Sequence, residues 1–277
     1  MTAASAATAT NAATRRRDES GADPMITLPT VRTTLRRFCH RLSIAGSVRP
    51  PNLTTIRHDD VVSMLYDCAD PEIRPGAIQA AARTVQSGQL VVLPTDTVYG
   101  IGADAFDATA VTDLLAAKGR GRDMPVPVLV GSWDTIDGLV SFVSEQTRTL
   151  IEAFWPGGLT LVVEHAPSLA WDLGDARGTV AIRMPLHPVA LELLQQTGPM
   201  AVSSANRSGQ PAALTAEQAR EQLGDSVQVY LDAGPTSVGV ASSIVDITGA
   251  VPKLLRAGAV GVDALRSVLP SIETRPA

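Results

Sequence analysis

Cysteine and lysine are scarce in this 277-residue chain. The two cysteines, Cys39 and Cys68, form no C-x-x-C pair and have no companion cluster of cysteine and histidine, so we expect neither a disulfide framework nor a metal site. No run of about 18 consecutive apolar residues occurs, which argues against a membrane-spanning helix. These absences favour a protein of the reducing cytoplasm that makes no membrane contact.

Several motifs that would assign an activity directly are also missing. The chain has no phosphate-binding G-x-x-x-x-G-K-[ST] loop and no G-x-G-x-x-G dinucleotide fingerprint, so a nucleotide would not occupy a P-loop or Rossmann site. No G-x-S-x-G elbow or convincing Ser/His/Asp set indicates a nucleophilic hydrolase. A functional site must therefore be built from other polar turns.

Charge is unevenly distributed along the chain. The formal net charge is −5, yet residues 1–60 hold nine Arg against five acids, so the remainder carries −9. Nonspecific binding to a polyanion needs a cationic surface that displaces counterions. We therefore expect the globular part not to coat nucleic acid, and any phosphate site to be local.

Composition divides the chain into three parts. Residues 1–63 are rich in Ala, Thr, Ser, Arg and Pro, and we expect a disordered or weakly structured extension with one short helix near 31–42. Residues 64–270 carry regular apolar patterns and form a single predicted domain. Residues 271–277 are predicted to be a tail.

Strands and helices alternate within the predicted domain. Helix starts are indicated at Asp107 and at the Thr215…Gln218 capping pattern, and Gly88 suits the left-handed position after a helix. The predicted strands are 89–93, 126–130, 159–163, 179–183, 200–203, 228–231, 243–246 and 253–255, and the predicted helices are 74–87, 107–118, 144–154, 187–196, one opening at 215, and 262–268. This alternation predicts an α/β fold of α+β type around one mixed sheet.

Two polar segments lie at the ends of predicted elements in the first half of the domain. Thr95 and Thr97 follow a buried strand, where their hydroxyls either orient a polar substrate or satisfy the turn backbone. Lys118, Arg120 and Arg122 lie on a glycine-containing loop after a helix, where cations complement the helix dipole or neutralise a triphosphate. The lysine is one of only two in the chain, against 21 arginines, which favours the second interpretation.

The second half of the domain contributes further polar strand ends. Arg183 ends an apolar strand, where its planar guanidinium binds either a substrate carboxylate or a buried protein acid. The segment 203–209, which includes Ser204 and Asn206, has the short hydroxyl and amide side chains that surround a ribose or phosphate or that make an ordinary turn. Ser242 and Arg256 occupy two more such positions.

These segments together resemble the YrdC-type threonylcarbamoyl-AMP synthase family, in its short form without an extra C-terminal domain. The resemblance runs from about residue 75 to residue 260, and its motifs occur in the family's order: PTDTVYGIGADA, the Lys-x-Arg of KGRGRD, WPGGLTLVV, VAIRMPLHPVALELL, SSANRSG, SSIVD and LLRAG. The resemblance implies a twisted mixed sheet flanked by helices around a basic cavity. It also implies condensation of L-threonine, bicarbonate and ATP to threonylcarbamoyl-adenylate and pyrophosphate, for threonylcarbamoyl modification of tRNA.

The resemblance also implies roles for individual residues. Lys118 and Arg120 are expected to be catalytic and to meet the ATP phosphates, and the threonine or its carbamate is expected to be held by Thr95, Arg183 and Ser242. The other expected nucleotide-binding residues are Ser204, Asn206 and Arg256. Met124 stands where the family often has Lys, and Arg122 is expected to supply the missing phosphate contact.

The implied partners are ATP with its magnesium ion, L-threonine, bicarbonate and a downstream threonylcarbamoyl transferase, with weak binding of tRNA or double-stranded RNA as a further option. Few protein ligands are expected for the magnesium. Two alternatives stay open: a paralogue that acts on another carbamoyl or adenylate substrate, and a non-catalytic double-stranded RNA-binding module. The acidic domain argues against the second.

Overall fold

The computed structural model describes residues 63–274, so the predicted extension 1–63, except for Ser63, lies with its helix outside the described residues. Within that range the chain forms eleven strands and seven α-helices. The strands are β1 (Met64–Asp67), β2 (Val91–Leu93), β3 (Gly100–Asp104), β4 (Val128–Leu129), β5 (Leu159–Glu164), β6 (Thr179–Arg183), β7 (Met200–Ser204), β8 (Val229–Asp232), β9 (Ser243–Asp246), β10 (Lys253–Arg256) and β11 (Glu273–Thr274). The helices are α1 (Arg74–Gln86), α2 (Ala108–Lys118), α3 (Ile136–Leu139), α4 (Glu145–Phe154), α5 (Pro188–Thr197), α6 (Ala216–Leu223) and α7 (Val262–Val268).

All the described strands join one mixed sheet in the order β1-β8-β2-β3-β7-β4-β6-β5-β9-β10-β11. Strand β2 is parallel to β8 and antiparallel to β3, and β5 is antiparallel to β6 and parallel to β9. Neighbours in the sheet are therefore often distant in sequence. The predicted mixed α/β sheet in a single domain is confirmed.

Apolar side chains cover both faces of the sheet. Strand β2 alternates, because Val91 and Leu93 join a cluster with α1 and α5, whereas Val92 joins the larger cluster that includes α2, α4 and α6. Helices α1 and α5 thus pack together on one face. A sheet covered on both faces needs apolar residues at successive positions, which explains the continuous apolar run in β2.

Local sequence signals set most element boundaries. Strands β6 and β9 and helix α7 have the bounds predicted from their patterns. The Asp107 carboxylate accepts hydrogen bonds from the amides of Thr109 and Ala110 and so caps α2, and Gly88 has a φ of +77° after α1. At α6 the Thr215 hydroxyl accepts from the Gln218 amide, as the capping pattern predicted.

Three strands and one helix were not predicted. Strands β1 and β3 and the short α3 lie in segments read as connections, and β11 lies in the predicted tail 271–277 but pairs with β10. Strand β3 was missed because two of its five residues are glycines, which are poor strand formers. An added Cβ would lie 2.6 Å from Val202 at Gly100 and 2.7 Å from Met200 at Gly102, so the close packing of β7 requires glycine there.

No helix within residues 63–274 is long and apolar enough to cross a membrane.

Candidate active site

Six of the eight predicted site residues line one cavity of about 360 Å³. It lies where the turn after β2, the ends of β6 and β7, the start of β9 and the end of β10 meet. The six residues are Thr95, Arg120, Arg183, Ser204, Ser242 and Arg256. The sheet order brings these residues together across 161 positions of sequence, from 95 to 256. Lys118 and Asn206 are not among the cavity-lining residues.

Arginine supplies the charge of the cavity. Arg120, Arg183 and Arg256 line it, and no Asp, Glu or His from residues 63–274 does. The remaining lining is mainly hydroxyl groups and apolar strand residues, including Val126, Val162, Val180 and Ile244. The expected basic cavity is therefore present in a domain whose net charge is negative.

The Arg183 guanidinium is held on three sides by the protein. Its Nη2 donates to the Asp96 carboxylate at 2.5 Å, its Nη1 to the Thr97 hydroxyl at 2.8 Å and its Nε to the Gly157 carbonyl at 2.8 Å. Burial lowers the pKa of Arg183, and the Asp96 charge acts in the opposite direction. The interpretation as an ion pair with a buried acid is thus confirmed. Two of the five N–H donors of Arg183 remain for a ligand.

The hydroxyls of the turn after β2 are committed to one another. Thr95 Oγ1 donates to the Val98 carbonyl at 2.6 Å, accepts from the Thr97 amide at 3.2 Å, and lies 3.0 Å from Thr97 Oγ1. Since Thr97 Oγ1 accepts from Arg183, its own hydrogen is free to donate to Thr95. The Thr95 hydroxyl then has its donor and both acceptor positions filled. The turn-forming interpretation of Thr95 is confirmed, and as placed it orients Thr97 and Arg183.

Arg256 is fixed by Ser242 through two hydrogen bonds. Its Nε donates to the Ser242 carbonyl at 2.9 Å and its Nη2 to the Ser242 hydroxyl at 3.0 Å. Burial lowers the pKa of Arg256, and the positive charge of Arg120 lowers it further. The two guanidinium groups therefore lie close enough to repel each other. An anionic ligand between them would relieve that repulsion.

Arg120 reaches the cavity with an incomplete set of partners. Its Nη1 donates to Ser203 Oγ at 3.1 Å and its Nη2 to the Pro125 carbonyl at 3.4 Å. Its Nε is buried and has no acceptor among the described residues. Neither Arg120 nor Arg256 makes an ion pair within the part of the chain that the structure describes. These two guanidinium groups are therefore cavity cations that no carboxylate of the described residues neutralises.

Lys118 is buried, although it lies at the end of a helix and begins a glycine-containing loop. Its side chain is the last of α2 and donates to the carbonyls of Ser204 and Asn206, the second at 2.6 Å. Burial, and then the charge of Arg120, lowers the pKa of Lys118 to about 8. The helix ends there because Gly119 adopts a left-handed φ of +61° and turns the chain back toward the sheet. Lys118 thus fixes the loop after β7 in place.

Asn206 and Arg122 also differ from the expected arrangement. The Asn206 amide nitrogen donates to the carbonyls of Arg207 and Gln210, so this side chain shapes its own loop. Arg122 pairs with Asp172 at 2.6 Å and does not line the cavity, so it does not replace a lysine at Met124. The pairing with Asp172 draws the guanidinium away from the site.

Three contributors were missed by sequence reasoning. Asp96 anchors Arg183, Ser203 anchors Arg120, and Thr160 on β5 lies 2.8 Å from the Ser242 hydroxyl. Thr160 had a usable signal, because it is the one hydroxyl residue in the apolar run LTLVV. Asp96 was likewise the only acid in its turn.

The fold and the cavity define an α/β protein with a cationic site that is suited to an anionic, acceptor-rich ligand, since no carboxylate from residues 63–274 lines it. Comparison with known proteins makes this specific: the chain belongs to the Sua5/YciO/YrdC family, whose family model, described as "Telomere recombination", matches residues 83–258. The resemblance seen in the sequence is therefore confirmed.

Relatives agree over most of the described chain. This chain is 65% identical over 204 residues to a protein named putative threonylcarbamoyl-AMP synthase from Mycobacterium tuberculosis. The alignment covers 74% of this chain and 94% of that protein. A solved structure of Pyrococcus abyssi Sua5 in complex with L-threonine has a TM-score of 0.74 and 34% identity, covering 78% of this chain and 63% of the other. Escherichia coli YciO, at 22% identity and a TM-score of 0.66 over 73% of this chain and 99% of its own, shares the fold.

Proposed function

We propose that this protein condenses L-threonine, bicarbonate and ATP into threonylcarbamoyl-adenylate, releasing pyrophosphate. The observation that carries the proposal is the convergence of six separated sequence positions on one cavity, which three arginines and no carboxylate line in the described part of the chain. The identity to a protein named as a putative synthase of this kind, and the threonine complex of Pyrococcus abyssi Sua5, support it.

The ATP phosphates would lie against Arg120 and Arg256. Both lack a carboxylate partner among the described residues, and Arg120 has a buried donor without an acceptor. A triphosphate supplies acceptors for the N–H groups that face the cavity and offsets the charge of both cations. Guanidinium groups held in advance by Ser203 and Ser242 also stabilise the charge that develops as pyrophosphate leaves.

Threonine would lie toward Arg183. Asp96 already neutralises this guanidinium, which leaves it suited to orient a carboxylate through its two remaining N–H donors rather than to bind a triphosphate. The substrates themselves supply the nucleophiles. The threonine amine attacks the carbon of carbon dioxide, which bicarbonate yields by losing hydroxide, and the nitrogen then releases a proton to leave a carbamate. A carbamate oxygen attacks the α-phosphorus, and the bond from that phosphorus to pyrophosphate breaks. The protein contributes placement and positive charge.

The magnesium ion that accompanies ATP is part of the same proposal. The described residues contain no group of three His, Cys, Asp or Glu side chains placed to hold a metal, and the cavity lining has no carboxylate. The ion would therefore be coordinated by phosphate oxygens and water, as is common for magnesium in nucleotide sites.

The cellular context extends the proposal further. A mixed anhydride of a carbamic acid and AMP is an activated acyl donor, so a transferase that passes the threonylcarbamoyl group to tRNA is the expected consumer, and the cytoplasm is the expected location. Direct RNA binding is the weaker alternative, because residues 61–277 carry a net charge of −9.

Pyrophosphate release with each substrate omitted in turn tests the proposal. We expect release from ATP only when both threonine and bicarbonate are present. Release that needs bicarbonate but not threonine would indicate a paralogue with another acceptor. No release, combined with a gel shift of double-stranded RNA that weakens steeply with salt, would support the RNA-binding alternative.

A further inference from the structure

Thr160 contacts the hydroxyl of Ser242, the residue that holds Arg256. It is the second residue of β5, it is 2% exposed, and its side chain lines the cavity together with that of Val162. Its neighbours Leu159 and Leu161 belong to the apolar cluster on the opposite face of the strand. The alternation of the strand therefore directs the one hydroxyl of this apolar run into the cavity.

The Thr160 hydroxyl completes a chain of hydrogen bonds. Thr160 Oγ1 lies 2.8 Å from Ser242 Oγ, and Ser242 Oγ accepts from Arg256 Nη2 at 3.0 Å. Strand pairing fixes this geometry, because β5 and β9 are parallel neighbours in which Leu159 is opposite Ser243. Ser242 thus connects a buried strand residue to a cavity cation.

The number of hydrogens in this chain limits what it offers to a ligand. The two hydroxyls have two hydrogens, and their mutual bond uses one. Arg256 is a donor, so it uses none. One O–H donor therefore remains at the cavity, beside a guanidinium that also only donates. Such a set favours a ligand rich in acceptors, as a phosphate is.

We propose that Thr160 is a positioning residue for nucleotide binding, which acts by orienting Ser242 and, through it, Arg256. The inference rests on the proposed function in taking ATP as the ligand. Thr160 itself need not touch the nucleotide.

Calorimetric titration of ATP into Thr160→Val, without threonine, tests the inference. Valine keeps the branched shape and removes the hydroxyl, so we expect the dissociation constant for ATP to rise roughly 3- to 10-fold, the range for one lost hydrogen bond. The KM for threonine should change less, and Thr160→Ser should restore ATP affinity. In a Ser242→Ala background, Thr160→Val should have little further effect, because the chain is already broken.

Thr147 provides a matched control. It is 2% exposed and its hydroxyl lies 2.7 Å from Ser144 Oγ at the start of α4, outside the cavity lining. Thr147→Val should therefore lower thermal stability without weakening ATP binding. Unchanged ATP affinity in Thr160→Val overturns the inference. So does a loss of ATP affinity from Thr160→Val that is as large in the Ser242→Ala background as in the unaltered protein, or an unaltered protein that does not bind ATP. ATP binding without threonine-dependent pyrophosphate release would instead overturn the proposed function alone.

Discussion

Arg183 and Asp96 form the one ion pair among the described residues in which both side chains are buried, at 7% and 10% exposure. The Asp96 oxygen that accepts from Arg183 also accepts from the Leu186 amide at 2.9 Å, so one carboxylate orders both the guanidinium and the chain that follows β6. Removal of this charge would leave a buried cation without compensation.

Asp96→Asn should therefore lower the free energy of unfolding by about 3 to 5 kcal/mol, the range for breaking a buried pair by removing one partner. Urea unfolding measures this loss. The Arg122–Asp172 pair is similar in length but about half exposed, so Asp172→Asn is the control and should leave stability nearly unchanged. Equal effects of the two variants would contradict the importance of burial.

Arg120→Ala should reduce turnover roughly 10- to 1,000-fold, the scale for loss of an electrostatic contact to transition-state charge. Initial rates of pyrophosphate release measure this. Arg148, an exposed arginine of α4, is the control, and Arg148→Ala should keep full activity. Lys118→Ala, in contrast, should lower the free energy of unfolding by roughly 1 to 3 kcal/mol, because it leaves two carbonyls without their donor. Full activity of Arg120→Ala would refute its placement at the phosphates.

Affinity for ATP should weaken as the pH rises through about 8, because Lys118 loses its positive charge there. Burial and then the charge of Arg120 lower the pKa of Lys118 to that value. The folded-state pKa is below the ordinary value of 10.5, so the unfolded chain binds more protons between these two pH values. Lys118 therefore makes a contribution to stability that rises with pH across that window.

Calorimetric titration of ATP from pH 7 to pH 9.5 measures the expected change in affinity. The exposed Lys253 is the only other lysine, so Lys253→Gln should keep the profile of the unaltered protein. An affinity independent of pH over this range would argue against charge on Lys118 as a factor in binding.

Gly258→Ala should distort the site from outside it. A Cβ at this position would overlap the Ala241 carbonyl and lie 2.6 Å from the main-chain carbon of Ser242, the residue that holds Arg256. Overpacking of this kind costs about 1 to 3 kcal/mol, and we expect a loss of ATP affinity as well as of stability. Nothing lies within 4 Å of a Cβ at Gly261, so Gly261→Ala is the control. Melting curves and ATP titrations of both variants measure these losses. Equal melting temperatures and equal ATP affinities in the two variants would contradict the prediction.

A chain that lacks residues 1–62 should keep both its melting temperature and its turnover. The 204 residues aligned with the Mycobacterium tuberculosis relative make up 94% of that protein, which leaves no room for a counterpart of this segment. Deletion through Asp67 is the control, because it removes β1 and the buried Ser63 and should destabilise the sheet edge at β8. Loss of activity in the shorter deletion would assign a function to the segment.

Sequence patterns predicted the parts of this fold that depend on local chemistry. Strands β6 and β9 were predicted with the observed bounds because their apolar runs are bordered by turn residues or prolines. Strand β3 was missed because its glycines are explained only by the side chains of β7, which sequence spacing does not reveal. Tertiary packing here overrides local propensity.

The same distinction separates the site residues. Arg183 could be placed at a strand end from its own segment, but its partner Asp96 lies 87 positions earlier in the chain. Lys118 could be placed at the end of a helix from its own segment, but its burial depends on two carbonyls at and just after the end of β7. Spacing therefore identified the candidate residues, whereas the direction of each side chain required the sheet.

The sheet order has a consequence for how this protein folds. The cavity residues come from segments whose strands pair mostly with partners distant in the chain, so no short stretch of sequence can form a partial site. A ligand of the cavity can bind only those copies of the protein in which these long-range strand pairings are complete. Such pairings form slowly because loop closure precedes them. Ligand added during refolding should therefore leave the folding rate unchanged and slow unfolding, thereby protecting the whole sheet as one cooperative unit.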